Sequence, residues 1–148
     1  MHAVDREVIS QILAWLRSGS RCWLATVAAT WGSSPRPVGS LLGCNSDGVL
    51  VGSLSGGCVE DDLQEKLLNG ELAADHAQLF RYGVTTEETE KFGLPCGGHL
   101  DIIIEPQKVN NQTIDQFEQL YQALHERRWM LRTVNLNSDA VALTSASE

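Results

Sequence analysis

A glycine pair followed by a cysteine, Ser55-Gly56-Gly57-Cys58-Val59-Glu60, constrains the fold more than any other stretch of the sequence. The apolar run over 49–54 predicts a short buried strand before it. Apolar residues at helical spacing after it predict a helix over 58–69, which Gly70 ends. A turn from a strand into a helix N-terminus directs free backbone N–H groups outward, where they favour anions. We therefore predict a ligand site at this stretch, the Cys58 turn.

Cys58 is the residue of this turn with the most specific chemistry. The positive end of a helix dipole lowers the pKa of a thiol placed there. Glu60, Asp61 and Asp62 crowd the same first turn, and nearby carboxylates raise a thiol pKa. These acids are also ordinary first-turn residues, with Glu60 able to cap the helix. We predict a functional Cys58, with a buried structural cysteine as the alternative.

A second candidate stretch, the Ser-Arg loop over 31–39, follows a nearly continuous apolar run over 21–30. Ser33, Ser34 and Arg36 offer hydroxyls and a guanidinium, which bind a phosphate or carboxylate together with backbone N–H groups. The sequence contains neither a Walker A motif nor the Gly-x-Gly-x-x-Gly of dinucleotide-binding folds. We predict an anion-binding loop. The alternative is a proline-stiffened connection whose arginine pairs with a surface acid.

The third candidate stretch is Gly93-Leu94-Pro95-Cys96-Gly97-Gly98, the Cys96 turn, which again joins a cysteine to a glycine pair. Glycine pairs let a backbone approach another group closely, so both cysteine turns are predicted to be walls of one site. Zinc ligation and a redox disulfide between Cys58 and Cys96 are disfavoured, because the sequence has no C-x-x-C and only His99 neighbours a turn cysteine. Neither a metal site nor a catalytic residue is predicted.

The remaining pattern predicts an α+β or α/β fold, with a mixed β-sheet and packed helices in a single domain. Apolar stripes predict amphipathic helices over 4–16 and 114–124. Strands are predicted over 21–30, 39–44, 49–54, 77–82 and 101–105, with a further hairpin over 129–144. Pro106 is expected to stop the strand before it. Cys22 and Cys44 are predicted to pack in the core.

Composition argues against several classes of function. The chain has 148 residues and a net charge of −8, and nucleic-acid binders carry basic faces instead. No apolar run approaches the length of a membrane span, and the first residues do not resemble a signal peptide. Few cysteines without a short-loop framework fit a reducing compartment. We expect a cytoplasmic protein with no nucleic-acid or membrane partner.

Taken together, the three stretches resemble a known family. Gly-Ser-Ser-Pro-Arg at 32–36, the Cys58 turn at 55–60, and the Cys96 turn at 93–98 with Ile-Glu-Pro at 104–106 occur in the order and at the spacing of the XdhC/CoxI family. Its members are xanthine dehydrogenase accessory proteins. Each motif alone is weakly specific, whereas the ordered set is specific.

The resemblance implies a molybdenum cofactor chaperone. Family members bind the molybdenum cofactor (molybdopterin) as cargo, hold it during sulfuration by a cysteine desulfurase, and deliver it to a molybdenum hydroxylase. The terminal phosphate of molybdopterin suits the Ser-Arg loop, and its metal and sulfido end suits soft cysteine sulfur. The predicted cofactor-binding residues are Ser33, Ser34, Arg36, Gly56, Gly57, Cys58, Glu60, Cys96, Gly97 and Gly98.

The resemblance also implies domain organisation and partners. Family members commonly carry a second, Rossmann-like half, and this sequence ends at Glu148. We expect residues 1–148 to form an XdhC/CoxI-like domain without that half, either as a short stand-alone member or as a fragment. The implied partners are the target molybdenum hydroxylase and the cysteine desulfurase, and a homodimer stays open. The acidic segment 85–91, polar and close to the Cys96 turn, is a candidate docking surface.

Two other classes of function stay open. A cysteine-dependent enzyme would use Cys58 as a nucleophile on an acyl or sulfur substrate, although the sequence places no evident base beside it. An interaction module of a longer accessory factor would bind a partner protein and no small ligand.

Overall fold

The computed structural model describes residues 3–31, 38–54, 58–83, 87 and 99–145 of the chain. Within these residues the elements are α1 (Ala3–Arg17), β1 (Cys22–Trp31), β2 (Leu41–Asn45), β3 (Leu50–Gly52), α2 (Cys58–Leu68), β4 (Gln78–Tyr82), β5 (His99–Gln107), α3 (Asn111–His125), β6 (Met130–Val134) and β7 (Val141–Ser145). No helix in these ranges is both long enough and apolar enough to cross a membrane.

The main sheet has the strand order β3-β2-β1-β5-β4, and each of its described pairs is antiparallel. Strands β6 and β7 form a separate hairpin. Strand β1 lies at the centre of the main sheet, as its continuous apolar run predicts. The α+β class is confirmed for a single domain, and the sheet is antiparallel in its described pairs rather than mixed.

Alternation along β1 divides the core between the two faces of the sheet. Trp23, Ala25 and Val27 belong to the buried cluster that includes the apolar side chains of α2. Cys22 and Leu24 belong to a second cluster, formed with α1 and α3. Successive side chains of a strand point to opposite faces, so helices cover this strand from both sides.

Glycines in β2 and β3 set how closely α1 approaches the sheet. A Cβ atom at Gly43 would lie 3.3 Å from Ile12 Cγ1. At Gly52 it would lie 2.6 Å from Val8 Cγ2 and would overlap the carbonyl oxygen of Leu41. Since Ile12 lies over Gly43 in β2 and Val8 over Gly52 in the edge strand β3, α1 crosses from β2 to β3 toward its N-terminus.

The β6–β7 hairpin is fixed to the rest of the domain by charged side chains. Arg132 donates hydrogen bonds to both carboxylate oxygens of Glu105, at 2.7 and 3.0 Å. Its guanidinium also lies 5.7 Å from the centroid of the Phe117 ring. At the hairpin turn, Asp139 accepts a hydrogen bond from the backbone N–H of Ala77 at 2.9 Å. An isolated hairpin is marginally stable in water, so these contacts hold it in place.

The predicted helices and strands are present with small shifts of their ends, and the expected end of a strand at Pro106 is wrong. Strand β5 begins at His99 and passes through Pro106 to Gln107. The last pair between β4 and β5 is Gln78 with Ile104. Among the described strands, Pro106 therefore has a neighbour on one side only, where sheets accept proline. The acidic segment 85–91 lies outside the described residues apart from residue 87.

Replacing Gly52 by alanine should destabilise the protein more than the same change at Gly19. Both glycines have φ in the left-handed region, +89° and +80°, so each alanine costs about 1–2 kcal/mol in backbone strain. At Gly19 the added methyl group meets no atom within 4 Å. At Gly52 it overlaps Leu41 and Val8, which adds about 1–3 kcal/mol. Urea unfolding followed by circular dichroism measures the difference, and equal losses would contradict the close packing of α1 on β3.

Candidate functional site

The described residues that border the Ser-Arg loop and the Cys96 turn are neighbours in the sheet. Strand β1 ends at Trp31 and β5 begins at His99, and these two residues lie opposite each other in the antiparallel register. The chain enters the Ser-Arg loop directly after Trp31 and leaves the Cys96 turn directly before His99. Both stretches are therefore attached at one end of the β1–β5 pair.

The strand before the Cys58 turn ends in the same direction. Gly52, the last residue of β3, lies opposite Leu42 in β2, and Leu41 lies opposite Thr26 in β1. From Thr26, β1 runs on to Trp31, roughly 15 Å farther at the usual rise of a strand. All three predicted stretches are thus connected to one end of the sheet, which we call the motif end.

Most of the predicted site residues lie outside the described residues, namely Ser33, Ser34, Arg36, Gly56, Gly57, Cys96, Gly97 and Gly98. Their contacts with a ligand stay predictions. Cys58 is the first residue of α2, so its predicted position at a helix N-terminus is confirmed. Glu60 is the predicted site residue whose side-chain contacts are described.

Glu60 connects the start of α2 to the chain before the Cys58 turn. Its Oε1 accepts a hydrogen bond from the backbone N–H of Leu54 at 3.1 Å. Leu54 and Val59 are completely buried in the cluster beneath α2, so apolar side chains anchor the chain on both sides of the turn. The observed contact makes Glu60 a brace across the turn, because its partner lies before the turn and not in the first turn of α2; its predicted capping role stays a prediction.

Asp62 connects α2 to β4. Its Oδ2 accepts a hydrogen bond from the hydroxyl of the buried Tyr82 at 2.8 Å, and Lys66 pairs with the same oxygen. Glu60 and Asp62, two of the acids close to Cys58, are therefore bound to donors. Hydrogen bonds and an adjacent cation offset carboxylate charge, so these acids oppose the dipole of α2 less than their number in the sequence suggests.

The domain also carries charged groups that the sequence pattern did not single out. Arg81 in β4 donates to Asp101 in β5 through Nε at 2.6 Å and Nη2 at 3.0 Å, and these hydrogen bonds hold the pKa of Asp101 below its usual value. Asp5 is 8% exposed on the buried stripe of α1. Two features of the sequence could have indicated these residues. Arg81 and Asp101 are charged residues inside predicted strands, and Asp5 is an acid three positions before Val8 on an apolar helical stripe.

Cys22 and Cys44 are confirmed as core residues. Both are free thiols and almost completely buried. Burial raises the pKa of Cys22 to about 12, with a smaller effect of Cys44, and it raises the pKa of Cys44 to about 11. Neither thiol has thiolate character near neutral pH. Among the described residues, no group of three or more His, Cys, Asp or Glu side chains is arranged to hold a metal ion.

Comparison with known proteins finds a family match over part of the chain. Residues 15–83 match the model of the XdhC and CoxI family. This range contains the Ser-Arg loop and the Cys58 turn, and the match confirms the resemblance to this family that these two motifs indicate. A probable xanthine dehydrogenase subunit of Bacillus subtilis (strain 168) is 24% identical over 127 residues, which are 84% of this chain and 38% of that protein.

A solved structure has a similar fold. The crystal structure of a xanthine dehydrogenase from Bacillus halodurans matches 95% of this chain and 45% of its own, with a TM-score of 0.64 and 20% sequence identity. The chain therefore spans less than half the length of each of these two relatives.

Removing the carboxylate of Glu60 should loosen the Cys58 turn. We expect Glu60→Ala to lower the free energy of unfolding by about 1.5–3 kcal/mol, the usual contribution of a hydrogen bond to a charged group. Glu60→Gln, which keeps an acceptor oxygen, should lose much less. Glu65→Ala is the matched control, because Glu65 is an exposed acid of the same helix. Chemical denaturation compares the variants, and equal stability of Glu60→Ala and Glu65→Ala would argue against the brace.

Thiol labelling should separate the core cysteines from the turn cysteines. At pH 8 we expect iodoacetamide to leave Cys22 and Cys44 unmodified in the folded protein and to label both in urea, because their burial holds them as neutral thiols. Since their pKa values are raised in the folded state, the stability they contribute is complete below about pH 8.5 and is lost as pH rises through 11 and 12. Mass spectrometry of tryptic peptides reports the sites, and rapid native labelling of Cys22 would contradict its burial.

Proposed function

We propose, on the premise that residues 15–83 are an XdhC and CoxI family segment, that this chain is an accessory protein of a xanthine dehydrogenase-type molybdenum hydroxylase. The name of the Bacillus subtilis relative supports the coarse role. In the finer proposal, the chain binds the molybdenum cofactor as cargo, holds it during sulfuration by a cysteine desulfurase and releases it to the target enzyme.

The attachment of the three predicted stretches to one end of the sheet is the observation that carries this proposal. They are separated along the sequence, yet Trp31, Gly52 and His99, which border them, all lie toward the motif end. A ligand with a phosphate at one end and a metal with sulfur ligands at the other needs an anion-binding group and a soft ligand within reach of each other. The sheet topology supports that arrangement.

The chemistry of each stretch fits one part of the cargo. Arg36 with Ser33 and Ser34 would bind the phosphate through charge-assisted hydrogen bonds. Cys58, at the N-terminus of α2, would offer sulfur to the metal end, and the helix dipole would favour its thiolate. Cys96 would be the auxiliary thiol of the opposite turn.

Release is as much a part of this function as binding. A chaperone that surrounded the metal with several cysteine ligands would hold the cargo too tightly to deliver it, because thiolates bind soft metals strongly. A site built from loops and a helix end, with one leading thiol, suits transfer better. Glu60 and the buried Leu54 keep the borders of the Cys58 turn fixed, so that the ordering cost of binding is reduced.

The decisive experiment is an anaerobic titration with the molybdenum cofactor, followed by gel filtration and measurement of the retained molybdenum. We expect the wild-type protein to retain cofactor, and Cys58→Ser to weaken retention by about 10- to 100-fold, as loss of a metal contact predicts. Cys96→Ser should have a smaller effect. Arg36→Ala should weaken retention independently, through the phosphate.

Arg17→Ala is the control for lost charge, because Arg17 lies at the far end of α1 and pairs with Glu118 on the surface. Circular dichroism checks the fold of each variant. Absence of cofactor from both sulfurated and unsulfurated wild-type preparations would overturn the proposal. Retention by Cys58→Ser equal to that of the wild type would assign Cys58 to structure. Rapid turnover of an acyl or sulfur substrate that Cys58→Ser abolishes would favour a cysteine-dependent enzyme.

A further inference from the structure

A cleft of about 220 Å³ lies at the end of the sheet opposite the motif end. The last residues of β5, the first turns of α3 and the turn of the β6–β7 hairpin form its walls. Gln107 in one of these walls lies opposite Cys22. It is at the far end of β5 from His99, roughly 25 Å away at the usual rise of a strand. The cleft is therefore separate from the predicted cargo site.

Charged contacts hold the hairpin beside β5 and satisfy the acids in the walls of the cleft. Glu105 accepts hydrogen bonds from Arg132 at 2.7 and 3.0 Å. Asp139 pairs with Nδ1 of His76 at 2.7 Å and accepts a hydrogen bond from the backbone N–H of Ala77 at 2.9 Å. Both carboxylates line the cleft. Since they already have partners, the ligand that the cleft selects depends on its other polar groups.

One wall of the cleft is electropositive. Asn110, the N-cap of α3, accepts a hydrogen bond from the backbone N–H of Thr113 at 2.8 Å, and both residues line the cleft. The first N–H groups of a helix lack an intrahelical partner and carry the positive end of its dipole. Lys108 lines the cleft as well, and it makes no ion pair within the described ranges. The pKa of Asp139 is lowered chiefly by its hydrogen bond with His76, and the charge of Lys108 contributes a smaller part. Donors and positive charge together favour an anion.

A buried amide in the β5 wall offers an acceptor. Gln107 is only 8% exposed and lies on the same face of β5 as Glu105, two residues before it. Its Nε2 donates to the carbonyl oxygen of Glu105 at 3.3 Å, which leaves Oε1 without a hydrogen bond among the described residues. Oε1 is not one of the fully enclosed unpaired atoms, so a molecule in the cleft can reach it. Buried polar groups are nearly always paired, and an exception calls for an explanation such as a bound ligand.

We propose that the cleft binds a small carboxylate with an amino or hydroxyl group on its α carbon. The N-terminus of α3 and Lys108 bind the carboxylate, and Oε1 of Gln107 accepts a hydrogen bond from the α substituent. The volume of about 220 Å³ is below that of most ligand pockets, which limits the ligand to a few carbon atoms. Glu105 and Asp139 repel a phosphate dianion more strongly than a carboxylate. This site goes beyond the proposed function, since its walls contain none of the three motifs.

The test titrates L-alanine, L-lactate and propionate, which share a carbon skeleton and differ in the α substituent. Backbone amide signals from the first turn of α3 report binding by nuclear magnetic resonance. We expect at least one of L-alanine and L-lactate to bind more tightly than propionate by about 2- to 10-fold, as one added hydrogen bond predicts. The tighter of the two identifies the α substituent that the cleft selects.

Variants assign the preference to Gln107 and the carboxylate to Lys108. Gln107→Met keeps the length of the side chain and removes the acceptor, so it should bind all three ligands with the affinity of propionate. Gln119→Met, the same change at an exposed position of α3, should keep the preference. Lys108→Gln should weaken binding of all three ligands by about 2- to 5-fold, because they share the carboxylate. Arg6→Gln, which removes a positive charge at an exposed position of α1, should weaken none.

Thermal unfolding checks the fold of each variant, and Gln107→Leu serves if Gln107→Met does not fold. Absence of binding of all three ligands to the wild type would overturn the inference, as would equal affinity for the three. A preference that persists in Gln107→Met would also overturn it, and so would inorganic phosphate that binds at the same signals more tightly than L-alanine and L-lactate. Gln107→Met should retain the molybdenum cofactor as the wild type does, so the inference and the proposed function fail independently.

Discussion

The antiparallel pairing of β1 with β5 is the constraint on which the rest of the structure depends. It runs from Cys22 opposite Gln107 to Trp31 opposite His99, with a bulge between Val27 and Ala29. A slip of one residue would exchange the two faces of β1, and the side chains that pack against α2 would then face α1 and α3. The same register brings the chain that leaves β1 next to the chain that enters β5. Core formation and the proximity of the residues that border the Ser-Arg loop and the Cys96 turn therefore have one cause.

Local sequence patterns predicted the elements well because each depends on neighbouring residues. Helical spacing located all three described helices, and the apolar run over 21–30 identified the central strand. The strand order could not be predicted in this way, since β5 enters between β1 and β4 through pairing of residues distant in the sequence. Pro106 was misjudged for the same reason: whether a proline ends a strand depends on the neighbour across the sheet, and β4 has already ended there.

Some charged and reactive residues of the domain can be recognised from the sequence, and the environment of others depends on the fold. Few residue types bind phosphate or soft metals, so the glycines, cysteines, serines and arginine of the motifs can be recognised as candidate ligands from the sequence. The sequence does not indicate that Asp5 is buried, since an acid in the first turn of a helix is usually a favourable and solvated residue. Asp5 is nevertheless only 8% exposed, and burial of this kind is a property of packing. The Arg81–Asp101 pair likewise exists only once β4 and β5 are in register.

The two faces of the sheet contribute differently to the motif end. On one face, Val8 rests on Gly52 and fixes where the first turn of α1 lies. On the other, buried Leu54 and the hydrogen bond from its N–H to Glu60 fix where α2 begins. The border of the Cys58 turn is thus held from both sides. Ser33, Ser34, Arg36 and Cys96 belong to connecting segments of the sequence, whereas Cys58 begins α2. Binding residues are commonly placed on loops that a rigid scaffold positions. For the proposed function, which requires both binding and release of a cargo, this division has a physical rationale: a rigid scaffold would lower the ordering cost of binding, and binding loops would separate from the cargo without disturbing the core.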